Sequence, residues 1–158
     1  MEHCEIKGFL LCSVGVYVEA NHLGTTHSDP FTTKLSYKGA GRAPDLMFLH
    51  NGRTLRPPDK YLDGAPDLAI EIVSPGSRYR DAVTKFREYE KAGVAEYWII
   101  DPKTKTVDFY VSENGKWVKV EPENGRYTSR EIEGLWIEVE WFWTRPGVMV
   151  VLKAWGLS

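Results

Sequence analysis

The sequence predicts an α/β fold in which a mixed β-sheet is flanked by helices and followed by a β-rich segment. Three observations support this prediction: a helical pattern near the N-terminus, two strands of almost continuous apolar character, and a strand–helix–strand succession after them. We expect one domain over residues 1–158, with a core at about 3–102 and a β-rich part at about 103–158, because 158 residues suit one domain and no linker interrupts them.

The first elements are predicted from the spacing of apolar residues. Helical spacing at residues 3–22 predicts a largely buried helix, and alternation at 31–37 predicts a strand. Residues 43–49 predict a short buried strand entered through a proline, and residues 65–73 repeat that entry. Two neighbouring strands with hardly any polar residue indicate a sheet that is covered on both faces.

A helix is predicted from Arg78 to about Ala92, and a buried strand at 96–102 follows it. This order predicts a crossover between two parallel neighbours, which is right-handed in nearly all proteins. Beyond residue 102 the pattern predicts short strands at 106–111, 116–120 and 132–143, and a last apolar segment at 148–152.

Composition and charge exclude several classes of protein. With 42% hydrophobic and 27% charged residues the chain is neither disordered nor membrane-embedded, and a net charge of −2 excludes binding of polyanions by bulk charge. The apolar run at 9–18 is too short for a membrane span. Cys4 and Cys12 would lie about 12 Å apart in one helix, too far for a disulfide. We therefore expect reduced thiols and a cytoplasmic location.

Glu71 is the most informative residue, because it lies within an otherwise apolar strand. A carboxylate there loses hydration unless a metal ion, a cationic partner or a hydrogen-bond network compensates. Strand alternation places Asp67 on the same face, and Asp45 lies on the neighbouring strand. A helical wheel places Lys85 beside the apolar arc of the following helix, from which it could reach Glu71.

Two carboxylates and a lysine at a sheet edge suit metal-dependent phosphodiester hydrolysis. The carboxylates and a backbone carbonyl could hold Mg²⁺, and the lysine could orient water or stabilise the transition state. Each residue also has a purely structural interpretation. Asp45 and Asp67 follow prolines at strand entrances, where aspartate often makes turn hydrogen bonds, and Lys85 could simply pair with Asp81. The four histidines show no ligand spacing to one another, so no zinc site is expected.

The predicted helix at 78–92 carries the only local excess of positive charge that could meet a phosphate backbone. Its candidate DNA contacts are Arg78, Arg80 and Arg87. The alternative is a solvated helix face with ion pairs four residues apart.

These motifs resemble the Uma2 family of predicted nucleases of the PD-(D/E)XK, or restriction-endonuclease-like, superfamily. The resemblance rests on APDLAIEIVSP at 65–75, on Arg80-Asp81 with Lys85 four residues on, and on AGVAEYWIIDP at 92–102. It extends from about residue 3 to 143. It implies a restriction-endonuclease-like αβββαβ core and a DNA endonuclease that depends on Mg²⁺ or Mn²⁺, and we expect a homodimer whose two sites address two strands.

Carried over residue by residue, the resemblance makes Asp45 the aspartate of the PD motif and Glu71 the acidic residue of the (D/E)XK motif. The motif lysine is replaced by Val73, and its counterpart in the following helix is Lys85. Ile72 would offer its backbone carbonyl to the metal. Asp67 would be a further ligand or only a strand-entry residue.

The replacement of the motif lysine by Val73 is one departure from the family, and the start of the chain is a second. Members of the family usually carry a few dozen more residues before the N-terminal helix.

Two alternatives to a DNA endonuclease stay open: a catalytically inactive binding or dimerisation module on the same fold, and a hydrolase of another phosphate ester.

Overall fold

A six-stranded mixed sheet organises the fold. In spatial order it contains β1 (Gly24–His27), β3 (Leu46–His50), β5 (Leu68–Ile72), β6 (Glu96–Asp101), β7 (Thr106–Glu113) and β8 (Lys116–Val120). Two further pairs stand beside it: β2 (Thr32–Lys34) with β4 (Tyr61–Asp63), and β9 (Arg126–Thr128) with β10 (Trp136–Glu138). The structure, a computed structural model, describes residues 1–35, 41–53, 61–76 and 78–157, with the backbone alone at 78–81.

Helices cover both faces of this sheet. They are α1 (Glu2–Ala20), α2 (Arg78–Ala92), α3 (Trp141–Thr144) and α4 (Val148–Ala154). In the described part of the chain, no helix combines the length and the apolar character that a membrane crossing requires.

The strand–helix–strand unit β5–α2–β6 is confirmed, with β5 and β6 parallel and Glu71 opposite Ile99. All other neighbours in the sheet are antiparallel. Together with α1, β1 and β3, this unit gives the order α-β-β-β-α-β, which is the predicted restriction-endonuclease-like core.

Alternation along β5 separates the two layers of the core. Leu68, Ile70 and Ile72 pack into a large cluster with α1, α3, α4 and the C-terminal segments. Ala69 points to the other face, into a smaller cluster with Tyr89 of α2. Glu71 shares the face of Ala69, so the sheet places its carboxylate under α2.

The N-terminal part of the sheet differs from the prediction. Its first strand is β1, whereas only Thr32–Lys34 of the predicted 31–37 strand is described as extended, and it pairs with β4 outside the main sheet. Residues 36 and 37 lie outside the described part. Periodicity missed β1 because its four residues are half-buried and mostly polar, so no apolar pattern marks them.

The predicted strand at 132–143 is also wrong over most of its length. Only Trp136–Glu138 is extended, α3 follows, and the apolar segment at 148–152 lies in α4. The aromatic residues 141–143 favour a strand by propensity, but tertiary packing decides: Phe142 on the helical turn is completely buried in the large cluster.

Candidate active site

A cavity of about 150 Å³ opens at the C-terminal end of β5. Four of the predicted site residues line it, namely Asp45, Glu71, Ile72 and Lys85, and His3 of α1 lines it as well. The strand β5 supplies Glu71 and Ile72, the entry to β3 supplies Asp45, and α2 returns over the sheet with Lys85. The predicted convergence of two acids and one amine is therefore present in the structure.

Two side chains of α2 contact the two carboxylate oxygens of Glu71. Its Oε2 lies 3.1 Å from Nζ of Lys85, and its Oε1 accepts a hydrogen bond of 2.8 Å from the hydroxyl of Tyr89. Lys85 and Tyr89 are four residues apart, so one face of the helix presents both groups to the carboxylate. Only 7% of Glu71 is exposed. The structure thus supplies two of the compensations that a buried carboxylate requires, a cation and a hydrogen-bond donor.

These two partners do not fully offset the burial. Desolvation raises the pKa of Glu71 from 4.5 to about 7, and the nearby charge of Asp45 acts in the same direction. Lys85 and the Tyr89 hydroxyl oppose the shift and lower the pKa. A carboxylate with a pKa near neutrality still lacks part of the positive charge that would keep it ionised.

Asp45 divides its two oxygens between the backbone and the cavity. Its Oδ2 accepts a hydrogen bond of 2.7 Å from the amide of Ile72, just beyond the point where the pairing of β3 with β5 ends at Ile70. Its Oδ1 lies 3.2 Å from Nε2 of His3. One oxygen therefore fixes the carboxylate, and the other is left for the cavity.

The donor set of this cavity fits a hard divalent cation. Mg²⁺ and Mn²⁺ prefer carboxylate and carbonyl oxygens, and two carboxylates converge here with a backbone segment at Ile72. The raised pKa of Glu71 also supports a cation site, because a positive ion beside this carboxylate would favour its ionised form.

The family model described as Uma2, "Putative restriction endonuclease", matches residues 1–140. This chain belongs to the Uma2 family. Among solved structures, a putative nuclease of DUF820 from Anabaena variabilis ATCC 29413 is similar, with a TM-score of 0.76 and 18% sequence identity over 91% of this chain and 81% of that one. At this identity the likeness concerns the fold. No curated protein is significantly similar to the chain. The family description indicates a nuclease.

Asp67 does not line the cavity of this Uma2 chain, since it lies at the opposite end of β5 from Glu71. Its Oδ2 accepts a hydrogen bond from the amide of His50 and its Oδ1 one from Arg53. Ligand atoms of His50, Asp67 and Glu131 lie within 4.8 Å of one another. Because the guanidinium already neutralises Asp67, this arrangement corresponds to the structural interpretation of a strand-entry aspartate.

The DNA-contact candidates of α2 are described only in part. The side chains of Arg78 and Arg80 lie outside the described residues. Arg87 is exposed, and it stands two positions after Lys85, about 200° around the helix. It therefore points away from the cavity.

Sequence reasoning missed the parts played by His3 and Tyr89. His3 lies 42 positions before Asp45 on a different element, so no spacing rule connects the two. Tyr89 fits the apolar face of α2 and its ring is completely buried, but the hydroxyl at the end of that ring reaches Glu71. A tyrosine facing a buried carboxylate of the sheet is the signal that could have revealed this contact.

Proposed function

We propose that this Uma2 chain is a divalent-metal-dependent DNA endonuclease. In this proposal Asp45 and Glu71 hold Mg²⁺ or Mn²⁺ together with the backbone carbonyl of Ile72. Lys85 positions the attacking water or stabilises the charge that develops on the phosphate. The family description as a restriction endonuclease supports the choice of DNA as the substrate.

The observation that carries the proposal is the pairing of Glu71 with Lys85 across 3.1 Å at the edge of a cavity shared with Asp45. The position of the superfamily's motif lysine is taken by Val73, just beyond the end of β5, and an amine from α2 reaches the same carboxylate instead. An acid pair with an adjacent amine is the minimum that phosphodiester hydrolysis of this type requires.

A bound divalent ion would supply charge neutralisation at the phosphate and would lower the pKa of water. The protein's own part is to keep the two acids in place. The Ile72 amide fixes Asp45, and Lys85 and Tyr89 fix Glu71. The side chain of Lys85 is only 20% exposed, so its charge acts in a poorly hydrated environment, where it is stronger than in water.

Nicking of supercoiled plasmid in the presence of Mn²⁺ tests the proposal. We expect Asp45→Asn, Glu71→Gln and Lys85→Gln each to lower the nicking rate roughly a hundredfold or more. Two matched variants should keep the wild-type rate: Asp63→Asn in β4 and Lys91→Gln in the last turn of α2, both of which change exposed residues. Equal background nicking by all variants would contradict the proposal.

That outcome would favour the inactive binding module instead. One observation fits this second candidate: each oxygen of Glu71 has a protein partner, Lys85 for one and Tyr89 for the other, as a hydrogen-bonded network without a metal requires. Hydrolysis of a small phosphodiester but not of DNA would favour the third candidate, a hydrolase of another phosphate ester.

Two further parts of the proposal concern the partners. We expect a homodimer, which sedimentation velocity with and without DNA would reveal, and a monomer at all concentrations would refute it.

For Arg87 we expect Arg87→Gln to weaken DNA binding and leave the cleavage rate at saturating DNA unchanged, because this side chain points away from the cavity.

A further inference from the structure

We propose that His3 is a ligand of the divalent cation, beside Asp45 and Glu71, and that it gives the site a preference for Mn²⁺ over Mg²⁺. This inference rests on the proposed function, because it concerns the same cavity. It adds a residue of α1 to a site that is otherwise formed by β3, β5 and α2.

The position of His3 is the first reason. It lies in the first turn of α1, whose next turn is anchored in the core by the completely buried Ile6. The helix therefore holds the imidazole at the wall of the cavity, where its side chain is 27% exposed. One turn on, Lys7 forms an ion pair with Asp29, which also lines the cavity. This face of α1 is thus directed at the site.

The second reason is the oxygen that His3 faces. The Ile72 amide occupies Oδ2 of Asp45, so Oδ1 is the oxygen available to a cation, and Nε2 of His3 lies 3.2 Å from that atom. Two neighbouring ligands of an octahedral ion at about 2.1 Å are separated by about 3.0 Å. The spacing of these two atoms therefore suits a shared ion. Glu71 would have to approach them to join it, because His3, Asp45 and Glu71 do not form a group of ligand atoms within 4.8 Å of one another.

The chemistry of the two ions gives the expected preference. Mg²⁺ takes oxygen ligands almost exclusively, whereas imidazole nitrogen is a common ligand of the first-row transition metals. In the structure, Nε2 of His3 simply lies within ion-pair distance of Oδ1 of Asp45. Ligation requires the neutral tautomer with its proton on Nδ1, which leaves the Nε2 lone pair free.

Pulsed electron paramagnetic resonance of bound Mn²⁺ tests the assignment directly, because a coordinated imidazole nitrogen modulates the electron spin echo. The chain is used without a histidine tag. We expect nitrogen modulation in the wild type, its loss in His3→Asn, and a Kd for Mn²⁺ that rises about tenfold in that variant. The Kd for Mg²⁺, measured by displacement of Mn²⁺, should change much less.

Two variants serve as controls. His22→Asn removes an exposed imidazole at a backbone position with φ of 54°, a conformation that asparagine tolerates, and it should behave like the wild type. His50→Asn removes the imidazole beside Asp67 and Glu131. Thermal unfolding without metal verifies that His3→Asn folds.

Three results would overturn the assignment. If Asp45→Asn abolishes Mn²⁺ binding but the wild type shows no nitrogen modulation, His3 is only a neighbour of Asp45, and the proposed function stands. If modulation survives in His3→Asn and disappears in His50→Asn, the nitrogen belongs to the other cluster. If Asp45→Asn binds Mn²⁺ as the wild type does, the ion lies elsewhere, and the proposed function fails as well.

Discussion

Tyr89 donates its hydroxyl hydrogen to Oε1 of Glu71 over 2.8 Å, from a ring that is completely buried between α2 and the sheet. This contact ties a residue of the hydrophobic layer to the carboxylate of the candidate site. Because the hydrogen bond lowers the pKa of Glu71, it favours the ionised form that a cation would bind.

Tyr89→Phe should therefore weaken metal binding at neutral pH. Loss of the donor raises the pKa of Glu71 above its present value of about 7, so a larger share of the carboxyl groups is protonated. We expect the pH of half-maximal Mn²⁺ binding to be higher in Tyr89→Phe than in the wild type. Free Mn²⁺ followed by electron paramagnetic resonance across a pH series measures this. Tyr110→Phe is the control, since that hydroxyl belongs to the same cluster without contacting Glu71. An identical pH dependence in both variants would contradict the prediction.

Glu71→Gln should stabilise the protein at alkaline pH while it removes the proposed activity. The pKa of Glu71 is raised from 4.5 to about 7 in the folded state, so the folded protein binds the proton more tightly than the unfolded chain. The contribution of Glu71 to stability is then greatest below about pH 4.5 and falls by on the order of 3 kcal/mol as the pH rises to about 7 and above.

Glutamine does not ionise, so the variant lacks this decline, and its advantage over the wild type should appear above pH 7 and vanish near pH 4.5. Urea unfolding at several pH values measures the difference. Glu121→Gln, which changes a side chain that is 76% exposed, should show no such crossover. Parallel pH profiles for wild type and Glu71→Gln would refute the raised pKa.

Glu96 is expected to be essential for stability and irrelevant to the site. Its completely buried carboxylate accepts hydrogen bonds from Trp98, Tyr127 and Ser129, and from the amides of residues 130 and 131. In Glu96→Gln an amide NH₂ replaces an acceptor among donors, so we expect a loss of about 2–4 kcal/mol.

Urea unfolding measures that loss, and the affinity for Mn²⁺ at a temperature where the variant is folded should remain that of the wild type. Glu113→Gln, at an exposed ion pair with Arg130, is the matched change and should cost less than about 1 kcal/mol. A reduced Mn²⁺ affinity in folded Glu96→Gln would show that the two ends of β6 are coupled.

Gly24 allows β1 to approach β3 closely. A Cβ atom there would lie 1.9 Å from the backbone oxygen of Leu49. Gly24→Ala must therefore shift the edge strand, and we expect a loss of more than about 2 kcal/mol in thermal or urea unfolding. Gly8→Ala is the opposite case, because nothing lies within 4 Å of the added carbon in α1, and it should stabilise the protein by about 0.5–1 kcal/mol. Equal effects of the two substitutions would contradict this account.

The central part of the fold was predictable because its signals are local. A carboxylate in an apolar strand, a lysine beside the apolar arc of the next helix and an apolar strand after it define β5–α2–β6. That order placed Glu71 within possible reach of Lys85, with Asp81 as the alternative partner. The strand β1 was not predictable in the same way, since its half-buried polar residues obtain their conformation from β3.

The remaining contacts of the site depend on long-range packing. His3 meets Asp45 only because α1 crosses the sheet, and the hydroxyl of Tyr89 meets Glu71 only because its ring is buried in the right layer. At the C-terminus, the burial of Phe142 overrides the strand propensity of three successive aromatic residues.

The large cluster unites residues from Ile6 to Val151, and it includes Phe109, Tyr127 and Phe142 from beyond the predicted core at 3–102. A chain cut after residue 102 would lose every part of this cluster except α1 and the central strands, and the carboxylate of Glu96 would lose its donors from 127–131. The segment after residue 102 is thus part of the hydrophobic core on which the rest of the fold packs. We expect the shortened chain to be recovered only as aggregate.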